Sequence, residues 1–214
     1  MKIKPLILNN LINKNSRELY ACENDIKLIY YLFYNFYKKN TFWEKPKVID
    51  IDNKIINNDN YYYIIYFSGH SNKNGEIVIN DKKYTYDYFS HLSNVYFILD
   101  CCYSARFLYH NINKKKIFLL SCNEEQTSKE VYFKYNDLFK KANIDYDKNN
   151  TLKKNIGINI EYKVSISVFT YYLTLLLLKI NNDNIFEWKS IIENPLWDMV
   201  ENKYNQTIFY KEYI

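Results

Sequence analysis

Glycine is scarce in this chain of 214 residues: only three occur, at 69, 75 and 157. No Gly-rich loop of either common kind can be assembled around a phosphate, which argues against a nucleotide-dependent enzyme. Cysteine is sparse as well, at 22, 101, 102 and 122, with no C-x-x-C pair to start a zinc site. A disulfide framework is not expected in a chain this long without a secretory leader. The N-terminal stretch "MKIKPLILNNLINKN" has too short an apolar core for such a leader, and asparagine interrupts it. Long hydrophobic runs are missing too. The most apolar segment, "VSISVFTYYLTLLLLKI" (164–180), is diluted by Ser, Thr and Tyr and falls short of the roughly 20 apolar residues that span a bilayer. It reads as a buried core helix, and free thiols without an export signal imply a cytoplasmic protein.

What the chain does have is 24 Tyr and 13 Phe, with many Ile, Asn and Lys. These residues share AT-rich codons, so their abundance carries no functional weight. The net charge of +5 comes from scattered lysines, and the longest basic run, Lys114-Lys115-Lys116, reads as a solvated loop. Neither nucleic acid nor a membrane is expected as a partner. The length fits a single domain, 1–214, able to bury roughly 70% of its unfolded surface without a covalent staple.

Strand and helix patterns alternate. Strands are expected at 3–12 (with a loop after it), 45–52, 61–68, 94–102, 115–122 and 205–214, and a small hairpin at 75–86. Residues 61–68 and 94–102 are apolar on both faces, as central parallel strands are. Helical spacing over 23–39 places Asn24 and Asp25 at a helix start, where acceptors cap free N–H groups. A helical turn is expected at 87–92 and a helix from 104 to 111. Further helices are expected at 166–180 and 184–203, the last interrupted by Pro195. Residues 123–163 form a long polar connection. The fold class is therefore α/β, with a mostly parallel central sheet flanked by helices.

Two of the apolar strands end in reactive side chains. "YFSGHS" (66–71) delivers His70 and "LDCCYSA" (99–105) delivers Cys102, 32 positions later. In an open parallel sheet the functional crevice lies at the carboxyl ends of the strands. A thiol and an imidazole there are the minimum equipment for acyl transfer: the thiolate attacks and the imidazole protonates the leaving amine. A helix starting just after Cys102 would favour the thiolate. Backbone N–H groups near Ser71 and Cys102 would have to hold the developing oxyanion.

These residues resemble the caspase-like cysteine peptidases, most of all the metacaspase branch. In that family one strand ends in Ser-Gly-His-Gly and the next in Asp-x-Cys-x-Ser-Gly. "LYACENDIKLIYYLF" (19–33), "IFLLSCNEEQTSKE" (117–130) and "SVFTYYLTLLLLK" (167–179) are similar to further family segments, in the same order. The resemblance implies an α/β/α sandwich and a cysteine endopeptidase in which Cys102 is the nucleophile and His70 the general acid/base. It implies substrate-binding roles for Asp100, at the base of a pocket selecting Arg or Lys, and for Ser71, through its N–H in the oxyanion hole. Substrates would then be proteins or peptides with basic residues, and self-processing is expected within 131–163, which carries Lys134, Lys140, Lys141, Lys148, Lys153 and Lys154.

The sequence also departs from the family pattern: Ser71 stands where Gly is usual, Tyr103 where His is common, and Ala105 at the closing Gly. No acid appears in the first loop (Leu8, Asn9, Asn10), where the second pocket carboxylate is expected. No carboxylate cluster for calcium stands out, so no cofactor is expected. The alternative is a catalytically inactive caspase-like scaffold that acts through protein binding.

Overall fold

The computed structural model describes residues 1–10, 19–109, 112, 115–134, 163–180, 184–185, 187–192 and 195–213. Its centre is a sheet built from β1 (Lys2–Leu8), β2 (Lys47–Ile49), β3 (Tyr61–Ser71), β6 (Val95–Cys101), β7 (Lys116–Leu120) and β10 (Phe209–Tyr213). The strands lie in the order β10-β7-β6-β3-β1-β2, all parallel except β10, which runs antiparallel to β7. A small extension, β4 (Ile77–Ile79) and β5 (Lys82–Tyr84), pairs with the end of β3. β3 and β6 occupy the middle, which explains their apolar character on both faces: Tyr62–Ser68 and Val95–Cys101 are buried throughout.

Pleating sends alternate side chains to opposite faces, and each face has its own core. On one, Tyr62, Ile64, Tyr66, Tyr96 and Ile98 pack against α1 (Leu19–Lys39), α2 (Val168–Ile180), α3 (Trp188–Ile192) and α4 (Pro195–Tyr204). Trp188 is the largest fully buried side chain there. On the other, Tyr63, Ile65, Phe67, Phe97 and Leu99 pack beneath two short 3-10 turns, Tyr86–Phe89 and Ser104–Leu108, and the β4–β5 hairpin. Pro195 opens α4, where its missing N–H costs nothing.

Two expected helices differ from what forms. α1 begins at Leu19, so Asn24 and Asp25 lie inside it and do not cap it. Tertiary partners explain this: Asn24 Nδ2 donates to the Ser165 carbonyl (3.0 Å), and the Asp25 carboxylate is buried against β3 and the start of α2. The helix expected at 104–111 is a five-residue 3-10 turn, Ser104–Leu108. The chain reverses before it, with Tyr103 in the left-handed region (φ 51°), and the Ser104 hydroxyl is tied to the backbone of Cys122.

Both ends of the polar connection are structured. β8 (Glu130–Lys134) and β9 (Lys163–Ser167) form a separate antiparallel pair. The centre of that connection, with Lys140, Lys141, Lys148, Lys153 and Lys154, lies outside the described residues, so the self-processing expectation does too.

Candidate active site

The strand register brings the two motif ends together. β3 and β6 pair from Tyr63↔Val95 to Gly69↔Cys101, an offset of 95 − 63 = 32 at every position. His70 and Cys102, also 32 apart, are the next residues beyond the last pair. By the pleat they follow Ser68 and Asp100 onto the α1/α2 face, at the carboxyl rim of the sheet. His70 is exposed and Cys102 half-buried. The Ser71 hydroxyl donates to the Cys102 carbonyl, tying the two strand ends beyond the ladder.

The peptide N–H of Ser71 is aimed by the β3–β4 pairing. Asn72 N–H donates to the Glu76 carbonyl (3.0 Å), so in this antiparallel ladder Asn72–Glu76 is a hydrogen-bonded pair. Ser71↔Ile77, one step along, is then a non-hydrogen-bonded pair, and the Ser71 N–H turns away from β4. Gly69 is required by close approach. A Cβ there would lie 2.1 Å from Asn10 Nδ2 and 2.6 Å from the Phe67 ring, so a larger residue before His70 requires those side chains to move.

The Cys102 thiol titrates above its ordinary value. Burial pushes it up, while N–H groups of Ser128 and of Cys102 itself pull it down. No helix follows Cys102, so the thiolate stabilisation expected from one is missing; burial dominates and the thiol form prevails. Segment 126–129 covers this rim. Tyr103 N–H donates to the Gln126 carbonyl (2.7 Å), and the Ser128 hydroxyl donates to Asp100 Oδ1 (2.8 Å).

Beside the thiol lie two buried carboxylates. Asp100, 3% exposed, also accepts from the Thr170 hydroxyl (2.6 Å) and N–H (3.3 Å) at Oδ2. Asp25, 1% exposed, accepts from the Ser68 hydroxyl (2.8 Å) and the Ser167 N–H (3.0 Å). Both face the first turn of α2, whose free N–H groups and dipole favour negative charge. Neither has a salt-bridge partner among the described residues. Burial raises both carboxyls above the usual range, Asp25 well above it, and the charge of Asp100 adds to the effect on Asp25. The Cys22 thiol, close to Asp25, is pushed up to about 12, first by burial.

α1 thus places a second buried carboxylate, Asp25, near Asp100, where the first loop supplies none. Asp25 is buried rather than capping; the signal for this is its position four and eight residues before Ile29 and Phe33, on the apolar face of the helix.

An unpaired buried carboxylate penalises folding. Asp25 is protonated more readily in the folded chain than in the unfolded one, so its ionisation lowers stability as pH rises from the unfolded towards the folded pKa. Asp25→Asn is therefore expected to raise the melting temperature at pH 8, with the gain shrinking towards pH 4. Thermal melts of both proteins across that range check this; a lower melting temperature at pH 8 contradicts it.

No family model matches the sequence, and no curated protein matches it. A solved structure does, that of pro-sf-caspase-1, with a TM-score of 0.54 at 11% identity, covering 98% of this chain and 90% of that one. The fold is caspase-like. Within this caspase-like fold the rim of β3 and β6 carries His70, Ser71, Asp100 and Cys102, with Asp25 and Ser68 beside them. Among the described residues no helix is long and apolar enough to cross a membrane, and no group of three metal-ligating side chains occurs.

Proposed function

We propose that this chain is a cysteine endopeptidase of the metacaspase kind, cleaving after Arg or Lys. The observation that carries the proposal is the shared 32-residue offset, which aligns His70 and Cys102 at the rim of adjacent strands. Cys102 is the nucleophile. His70 takes its proton on attack and returns it to the leaving amine. The N–H groups of Ser71 and Cys102 receive the oxyanion, in keeping with the turn of the Ser71 N–H away from β4.

Specificity for basic side chains is supported by the Asp25–Asp100 pair. Two buried carboxylates with no salt-bridge partner among the described residues destabilise the chain, and a cationic side chain would offset their charge. Segment 126–129 must shift for that side chain to reach Asp100, because Ser128 now occupies Oδ1. No metal or cofactor is required by this chemistry, and the work is cytoplasmic.

A second reading, the inactive scaffold, is favoured by two observations: the Cys102 thiol is pushed up, and Asp100 is buried and covered by Ser128. Fluorogenic peptides ending in Arg, Lys, Asp and norleucine separate the two. Turnover confined to Arg and Lys is the expected result; inertness towards all four, with no labelling of Cys102 by an Arg-ended chloromethyl ketone, supports the scaffold.

A further inference from the structure

Asp100 is held from two sides by partners of different character. Oδ2 accepts both the hydroxyl and the N–H of Thr170, in the first turn of α2, while Oδ1 accepts the hydroxyl of Ser128 on segment 126–129. The Thr170 hydroxyl has a single proton, which it gives to the carboxylate. The 2.6 Å contact between Thr170 Oγ1 and Tyr66 Oη is therefore donated by Tyr66. A line of O–H donors runs from the middle of the sheet outward, from Tyr66 to Thr170 to Asp100. Tyr66 and Thr170 are fully buried, so neither can meet a substrate directly.

We propose that Thr170, braced by Tyr66, is the positioning residue of the pocket: it anchors Asp100 Oδ2 so that Oδ1 is the oxygen left to turn towards a substrate's cationic side chain. This inference rests on reading Asp100 as the acid that meets that side chain. Two donors on one oxygen leave the carboxylate one orientation, and a side chain fixed before binding loses no rotamer freedom when the ligand arrives.

The same donors keep Asp100 available as an anion. Burial pushes its carboxyl up, and the hydroxyls of Ser167, Thr170 and Ser128, with the Thr170 N–H, oppose that. The titratable groups that interact electrostatically with it are Asp25 and Cys22 of α1, Tyr66 of β3, Cys101 of β6, and Cys102 and Cys122 at the rim; Glu130 of β8 acts on Asp25, Cys22 and Cys102. All become negative on ionising, so none assists Asp100. Loss of the Thr170 hydroxyl therefore raises the pH at which Asp100 ionises.

Calorimetric titration of the Cys102→Ala chain with an Arg-ended tetrapeptide and its norleucine-ended twin tests this without turnover. Thr170→Val is expected to weaken the Arg peptide about 10- to 100-fold, leave the norleucine peptide unchanged, and move the acid limb of Arg-peptide binding to higher pH. Thr170→Ser should restore binding to within about threefold, and Tyr66→Phe should fall between. Equal affinity of the parent and Thr170→Val for the Arg peptide, with an unmoved acid limb, overturns the positioning role. If Thr170→Val does not fold, Tyr66→Phe with unchanged affinity and acid limb overturns it instead. A parent that binds the two peptides equally removes the cationic pocket itself, and this inference with it.

Discussion

Cys102→Ala is expected to lower turnover of Arg- and Lys-ended peptides by at least about a thousandfold, and His70→Ala by a comparable factor. The two act as one unit, so the double variant should be no worse than either alone. The physical reason lies in the thiol. Burial pushes the Cys102 thiol up, and only a short 3-10 turn, not a helix, follows it to draw the proton off. On the proposed mechanism the thiolate forms by transfer to a base as substrate binds, and His70, next beyond the shared register, is that base. Initial rates of purified variants, with circular dichroism confirming the fold, measure this. Retention of more than a tenth of the parent rate by Cys102→Ala overturns the assignment, since no other half-exposed cysteine is described.

The second large effect is expected at Asp100. Removing one partner of a desolvated charge pair costs about 2–5 kcal/mol, so Asp100→Asn should cut kcat/KM for basic peptides by about 30- to 5000-fold. Asparagine keeps an acceptor for Thr170, and the Ser128 hydroxyl can accept from the new amide, so the fold should persist. Alkylation of Cys102 by iodoacetamide should continue, which separates a specificity defect from loss of the nucleophile. Unchanged kcat/KM for Arg-ended peptides would show that the carboxylate meets no cation.

Some of this architecture was legible in the residues alone. Tyr62–Ser68 and Val95–Cys101 announce central strands because neither face can be polar when both are covered. Pro195 announces an interruption within 184–203 because its ring cannot continue a helix, and helices Trp188–Ile192 and Pro195–Tyr204 lie either side of it. Asp25 was not legible, because its position after Asn24 fits a helix cap equally well, and its partners Ser68 and Ser167 come from 43 and 142 positions away. The helix at 104–111 was overstated for a similar reason. Its composition allows a helix, but the reversal at Tyr103 and the grip of Ser104 on Cys122 leave only a turn. The pairing of β8 with β9 was hidden by the polar stretch between them. The separation of His70 and Cys102 was visible as a number; that it equals a strand register was not.

That β8–β9 pair bears on what a cut in the chain would do. Five facing positions, Glu130↔Ser167 to Lys134↔Lys163, bracket residues 135–162, and the Lys129 carbonyl accepts the Val168 N–H (2.9 Å) just beyond them. Scission anywhere inside that bracket severs a covalent link but none of these hydrogen bonds. The two pieces should travel as one species in gel filtration and part only in denaturant, so a nicked molecule would escape notice unless run on a denaturing gel.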